Sequence, residues 1–278
     1  MSGWAAFARV LLYGGVLVAI GTCGAEWFSR DGLVVPASSA VSDTTRVRDA
    51  RRRWALTSWL CVLIALVVML SAQFVALELA PTRADLAMLL RQTTWGAGWS
   101  AMAALGLCGA LASAVRAPHL VRMLVLIAFA ASMSGVGHAA ADVMPVLART
   151  LDTGHVISLG VWIGTLFCIG RDAAPRTWER FSRAAVFAAP LSVFTGVGGA
   201  FRRMGAADVR TIIASDYGRL LAGKTVLVLI ILAIGARHRS RLARRGALTA
   251  TSVRVELALA GLVVLVTAVL TGTAPPGE

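Results

Sequence analysis

The sequence predicts an all-α fold, a polytopic membrane protein whose eight transmembrane helices form one bundle. Three observations lead there. Mean hydropathy is +0.76 and only 15% of residues are charged, against about a quarter in soluble domains. The apolar residues run in long blocks instead of alternating with polar ones, which is the pattern of helices that face lipid. The arginines, finally, gather between alternate blocks, as they do on the cytoplasmic side of a membrane.

The blocks follow one another as Trp4–Phe28, Trp54–Leu79, Trp95–Val115, His119–Ala140, Leu147–Ile169, Phe181–Phe201, Leu220–Ala236 and Val255–Gly272. Each is near the ~20 residues a helix needs to cross about 30 Å of hydrocarbon. The first block is too long for a signal peptide and has no basic leader, so it is read as a helix. Trp4, Trp27, Trp54 and Trp95 stand at block edges, where amphipathic rings favour the headgroup layer. Runs this rich in Gly and Ala suit helices packed closely in lipid better than strands. The sixth block contains Pro190, expected to kink it, and closes on "FTGVGGAF" (194–201), whose glycines permit close helix approach. "APPG" at 274–277 stops the eighth. The longest connection, about Ser29–Arg53, is expected to be a mobile surface segment and too short for a domain, so residues 1–278 form a single membrane domain.

A net charge of +13 raises the question of nucleic acid, but the distribution of charge answers against it. Eighteen of the 27 basic residues lie in, or within four residues of, the connections between blocks 1–2, 3–4, 5–6 and 7–8. The positive-inside rule puts those connections in the cytoplasm and both termini outside. The connection after block 6, with Arg202, Arg203, Arg210 and Arg219 on the outer side, runs against that rule.

Ionisable groups at membrane depth are costly, so each needs a partner or a task. His138 falls near the outer end of block 4 and His155 in the outer half of block 5, on consecutive antiparallel helices at similar depth. Asp152 shares a helix face with His155 at i,i+3, where a carboxylate can fix an imidazole's tautomer or join it as a ligand. Met133 and Met144 lie near this pair, and imidazole nitrogen with thioether sulfur suits copper. A hydrogen-bonded interfacial histidine accounts for the same spacing. Asp142 lies beside His138. Lys224, in the outer half of block 7 below Tyr217, either snorkels to the headgroups or acts as counter-ion to Asp142 or Asp152. His119 and His238, beside arginines of the inner connections, are expected to be solvated. Glu78 is expected to cap block 2, and Glu26 and Glu256 to pair with nearby arginines. Cys23, Cys61, Cys108 and Cys168 all fall away from the oxidising side, so no disulfide is expected. They read as small packing residues, with an inner soft site for Cu(I) as the sharper alternative.

Several local patterns occur in a fixed order: "RVLLYGGVLVAIG" (9–21), "GHA" (137–139), "DTGHVISLGVWIG" (152–164), "RFSRAA" (180–185), "FTG" (194–196), "DYGRLLAGKTVLVLIILAIGARHR" (216–239), and Arg254-x-Glu256. In this order they resemble the copper resistance protein D family, most closely over 120–275. The resemblance implies a non-enzymatic protein of the bacterial inner membrane that brings copper from periplasm to cytoplasm, often beside a small periplasmic copper-binding protein. By position it matches His138, His155, Trp162, Tyr217 and Lys224 to family motifs. The rival reading uses the same two histidines as axial ligands of one b-type haem in an electron-transfer protein. No nucleophile–base pair and no phosphate loop is present, which argues against an enzyme of the soluble type.

Overall fold

The computed structural model describes residues 3–29, 40–136, 144–169, 175–205, 208–245 and 250–275. The described residues form helices and no strand: α1 (Gly3–Ser29), α2 (Ala40–Ala76), α3 (Arg83–Gln92), α4 (Thr94–Ala114), α5 (His119–Met133), α6 (Pro145–Leu159), a π-helical turn (Gly160–Gly164), α7 (Thr165–Ile169), α8 (Pro175–Met204), α9 (Val209–Ala214), α10 (Asp216–Arg245) and α11 (Ala250–Leu270).

Seven of these helices are long and apolar enough to cross a membrane, with α6, the π turn and α7 acting as one continuous span, Pro145–Ile169. The fourth block yields less than expected: α5 has 15 residues, about 22 Å at 1.5 Å per residue, short of the ~30 Å hydrocarbon core. The rest of that block runs into residues 137–143, outside the described residues.

Two elements depart from the expected pattern in the polar connections. α2 begins at Ala40, so Arg46–Arg53 lie on a helix and not in a surface loop. Their side chains find partners there. Arg51 donates to Ser29 Oγ at 2.9 Å, and Arg52 to the Ala114 carbonyl at 2.9 Å, which satisfies an end carbonyl of α4. The short α3 was not anticipated either. Thr82 caps it, accepting from the Asp85 amide at 3.1 Å, and Leu89 is buried beneath. The Thr-x-x-Asp spacing is its signal in the sequence.

α1 organises the bundle. It packs against α2 on one side and against the π turn, α7 and α11 on the other. One apolar cluster joins α1, α2, α4 and α5 around Val16, Trp59, Met102 and Phe129. A second joins α7, α8, α10 and α11 around Leu166, Phe181, Ile231 and Val263. α1 approaches the π turn backbone to backbone. A Cβ on Gly164 would lie 1.9 Å from the Leu17 carbonyl oxygen, and one on Gly21 would lie 2.1 Å from the Gly164 oxygen. Only glycine fits such a crossing, the small-residue packing that holds helices together in lipid.

Large apolar side chains cover the outside. Val67, Leu107, Leu120, Phe187 and Phe194 are exposed, which a water-soluble surface would not sustain in this number. Trp4 and Trp27 are exposed at the two ends of α1, where a headgroup layer would receive them.

Polar residues at the other end behave differently from expectation. His119 is not solvated: its side chain is 7% exposed and lies 3.9 Å from Glu26. Its ring stacks on Trp27, centroids 5.4 Å apart. The adjacent Trp27 and Glu26 of α1 form a slot for the first residue of α5, and this covers the ring. Glu26 does pair with an arginine, accepting from both terminal nitrogens of Arg122, one at 2.9 Å. None of the four cysteines is in a disulfide. The side chain of His238 lies outside the described residues.

Candidate functional site

A chamber of about 730 Å³ opens in one half of the bundle. Its walls come from the first half of α1 (Arg9, Tyr13), the end of α2 (Gln73), the end of α5 (Met133, Ser134), α6 (Asp152, His155), the end of α8 (Thr195, Arg203), the first half of α10 (Tyr217, Lys224) and the end of α11 (Thr267, Thr271). This is the half that holds the start of α1 and the end of α11. The chamber exists because two apolar clusters pack on opposite sides of α1 and do not close over this half.

His155 is about 15 Å along α6 from Pro145, at 1.5 Å per residue. Its Nδ1 lies 2.8 Å from the Ser192 carbonyl oxygen of α8 and 3.3 Å from Thr195 Oγ1. A carbonyl can only accept, so Nδ1 carries the proton and, in the neutral ring, Nε2 carries the lone pair. Thr195 donates its own hydroxyl hydrogen to the Leu191 carbonyl at 2.7 Å and is free to accept. Gly196 leaves room for the ring, since a Cβ there would lie 2.9 Å from His155 Cε1. A backbone carbonyl on one nitrogen, holding ring and tautomer, is the arrangement that prepares the other nitrogen for a metal.

Asp152 therefore does not orient His155 through Nδ1. It faces the end of α8 and receives Arg203 Nη2 at 3.5 Å on each carboxylate oxygen. One turn of helix separates Asp152 from His155 along α6, so the carboxylate reaches past the imidazole towards the chamber mouth. Arg203 was missed as a site residue, although its signal was present: it is one of the arginines that break the positive-inside count. Arg203 is held by Asp152, and Arg202 donates to the Met144 carbonyl at 3.4 Å. Ser192 was missed as well, because a backbone carbonyl leaves no mark in side-chain chemistry.

The other expected residues divide. Met133, Trp162, Tyr217 and Lys224 line the chamber with His155 and Asp152. Lys224, on the first half of α10, lines this chamber and so faces into the bundle. Tyr217 is 2% exposed and Trp162 5%. Met144 does not line the chamber: it precedes α6 at the surface and is 56% exposed. His138 and Asp142 lie outside the described residues. Among the described residues no three His, Cys, Asp or Glu side chains converge as a metal set.

The π turn Gly160–Gly164 interrupts the span just below His155 and carries Trp162 at its centre. Such turns widen the backbone locally and cluster at functional sites. Sequence periodicity gives no sign of it beyond the two flanking glycines.

Residues 175–270, which run from α8 to the end of α11, match the family model described as Copper resistance protein D. They include the walls that hold Ser192, Thr195, Arg203, Tyr217 and Lys224, and they begin after His155. No curated protein and no solved structure matches the chain. The family match, together with several helices fit to span a membrane, supports a copper-resistance-related membrane protein.

Proposed function

We propose that this protein is a transporter, not an enzyme, and carries copper across the bacterial inner membrane from periplasm to cytoplasm. The observation that carries the reading is the fixed imidazole of His155, its Nδ1 bound to a buried backbone carbonyl and its second nitrogen left to ligate. Copper is the cargo. His155 is its principal ligand, with His138 as the second imidazole and Met133 available to the reduced ion. Asp152 offsets part of the positive charge of Arg203 and Lys224, which would otherwise repel a cation from the chamber. Tyr217 and Trp162 wall the path, and a small periplasmic copper-binding protein delivers the ion.

Eight crossings with both termini in the periplasm accompany this reading. The chamber then opens towards the periplasm, since it lies at the end of the bundle with the start of α1 and the end of α11. Reporter fusions test it: those at Arg51 and Arg241 are expected to report a cytoplasmic location and one after Glu278 a periplasmic location. A cytoplasmic signal after Glu278 would reverse the direction assigned to the chamber.

The role given to Asp152 is separately testable. Asp152→Asn is expected to weaken copper binding by roughly 10–100-fold, the usual scale for removing a carboxylate beside a metal ligand. Adding Arg203→Gln removes the excess positive charge and should restore part of the loss. If the double variant binds no better than Asp152→Asn alone, measured by copper competition with a chromophoric chelator, charge balance is not the role of this pair.

One observation favours a second reading. A chamber of about 730 Å³ exceeds what a single ion occupies. With apolar walls and cations at its mouth it could receive one b-type haem, His155 serving as an axial ligand. A strong Soret band in the purified protein would select haem over copper transport.

A further inference from the structure

We propose that the groove between α8, α10 and α11, in the half of the bundle opposite the His155 chamber, binds one acyl chain of an anionic phospholipid, whose phosphate rests on Arg239. The site is independent of what the chamber carries.

The groove has a volume of about 320 Å³. α10 packs on α11 and α9, and its α8 side is left open. Val186 lines the groove and is 40% exposed, so the space reaches the outer surface of the bundle, which lipid covers. The interior is apolar and aromatic, with Leu166, Phe181 and Leu232 in the walls. An unfilled gap between such walls loses dispersion contacts, and a water needs two to four polar partners that this interior does not offer. A hydrocarbon chain restores the contacts and leaves no polar group unpaired.

The length of the groove fits one leaflet. Along α8 its wall runs from Trp178 to Pro190, about 18 Å at 1.5 Å per residue. Half of a ~30 Å hydrocarbon core is about 15 Å. A chain entering beside Trp178 therefore ends near mid-bilayer, against Trp162, which also walls the His155 chamber.

The charge lies where a headgroup needs it. Arg239 lines the groove from α10 and is exposed, one turn beyond Gly235 towards the end of that helix. Its planar guanidinium matches phosphate oxygens in geometry and charge, and basic pockets between transmembrane helices bind anionic headgroups in this way. Glu256 does not compete for that position. It faces Gly235, one turn deeper than Arg239, and is 2% exposed and engaged in an interaction of its own.

The test uses the full chain in a mild detergent, titrated with phosphatidylglycerol or with phosphatidylcholine of the same acyl chains. Bound lipid per chain is read by native mass spectrometry. The wild-type protein is expected to hold one phosphatidylglycerol about fivefold more tightly than phosphatidylcholine, the scale of one arginine's attraction to an anionic lipid surface. Arg239→Gln should erase that preference and keep the weaker binding common to both lipids. Gly235→Leu fills the groove, since even a Cβ there would lie 3.7 Å from Glu256 Oε1, and should lose both lipids. Should Gly235→Leu not purify as a single species, Ala236→Leu, at an exposed position of the same wall, narrows the groove instead. Equal binding of the two lipids by the wild-type protein overturns the proposal, as does a preference for phosphatidylglycerol that survives in Arg239→Gln. Undiminished lipid binding in the filled or narrowed variant overturns it equally.

Discussion

His155→Ala is expected to abolish copper uptake into proteoliposomes and to remove the copper bound at the chamber. The size of the effect follows from the construction of the site. The imidazole is the one described side chain in the chamber whose nitrogen is both fixed and free to ligate: Ser192 O and Thr195 Oγ1 hold Nδ1, and no alanine rotamer can replace the lost Nε2. His138→Ala should have a similar effect if the second imidazole completes the site. A subtler variant separates ligation from mere presence of the ring. Gly196→Ala keeps His155 but places a methyl group 2.9 Å from its Cε1. The ring must then move off the Ser192 carbonyl, and copper affinity should drop by roughly 10–100-fold, as when an orienting partner is lost. Cys108→Ser, at an exposed position on α4 away from the chamber, is the control and should transport normally. Retained uptake and retained copper in His155→Ala would dismiss the chamber as a copper site.

Gly164→Val is expected to prevent accumulation of folded protein altogether. Its Cβ would stand 1.9 Å from the Leu17 carbonyl oxygen, and the obstruction is backbone, which no rotamer change relieves. Over-packing of an ordinary core costs about 1–3 kcal/mol. Here the whole α1 crossing must open, and α1 touches both apolar clusters, so the loss should exceed that range. Gly21→Val, on the facing side, should behave the same way. Gly261→Ala in α11, where an added Cβ meets nothing within 4 Å, should be neutral or slightly stabilising, since Ala favours helix over Gly by about 1 kcal/mol. Yield and monodispersity after detergent extraction decide the matter. A well-behaved Gly164→Val protein would mean that α1 does not cross the π turn as described.

Much of the architecture was legible because the bilayer imposes a coarse rule. A segment either carries enough consecutive apolar residues to cross or it does not, and the block from Trp54 or the one from Trp95 meets that rule by composition alone. What was not legible depends on partners distant in sequence. The arginines of α2 read as a loop because Ser29 and Ala114, which receive them, are not adjacent to them in the chain. His119 read as solvated because the stacking ring, Trp27, belongs to α1.

The same division holds at the candidate site. The sequence by itself determined which residues could do chemistry: in an apolar chain, Asp152, His155 and Lys224 stand out because desolvating each is costly without a purpose. It also determined that α8 would approach another helix closely, through the glycines of 196–199. Only the tertiary structure decided how those groups divide their tasks. It gave Asp152 to Arg203 and His155 to the Ser192 carbonyl, turned Lys224 inward, and left Met144 at the surface. The physical reason is that periodicity along a helix says which residues share a face, whereas the partner of a buried polar group is set by which other helix that face meets. The partner can be a backbone carbonyl that every residue possesses, and no pattern of side chains marks which one will be used.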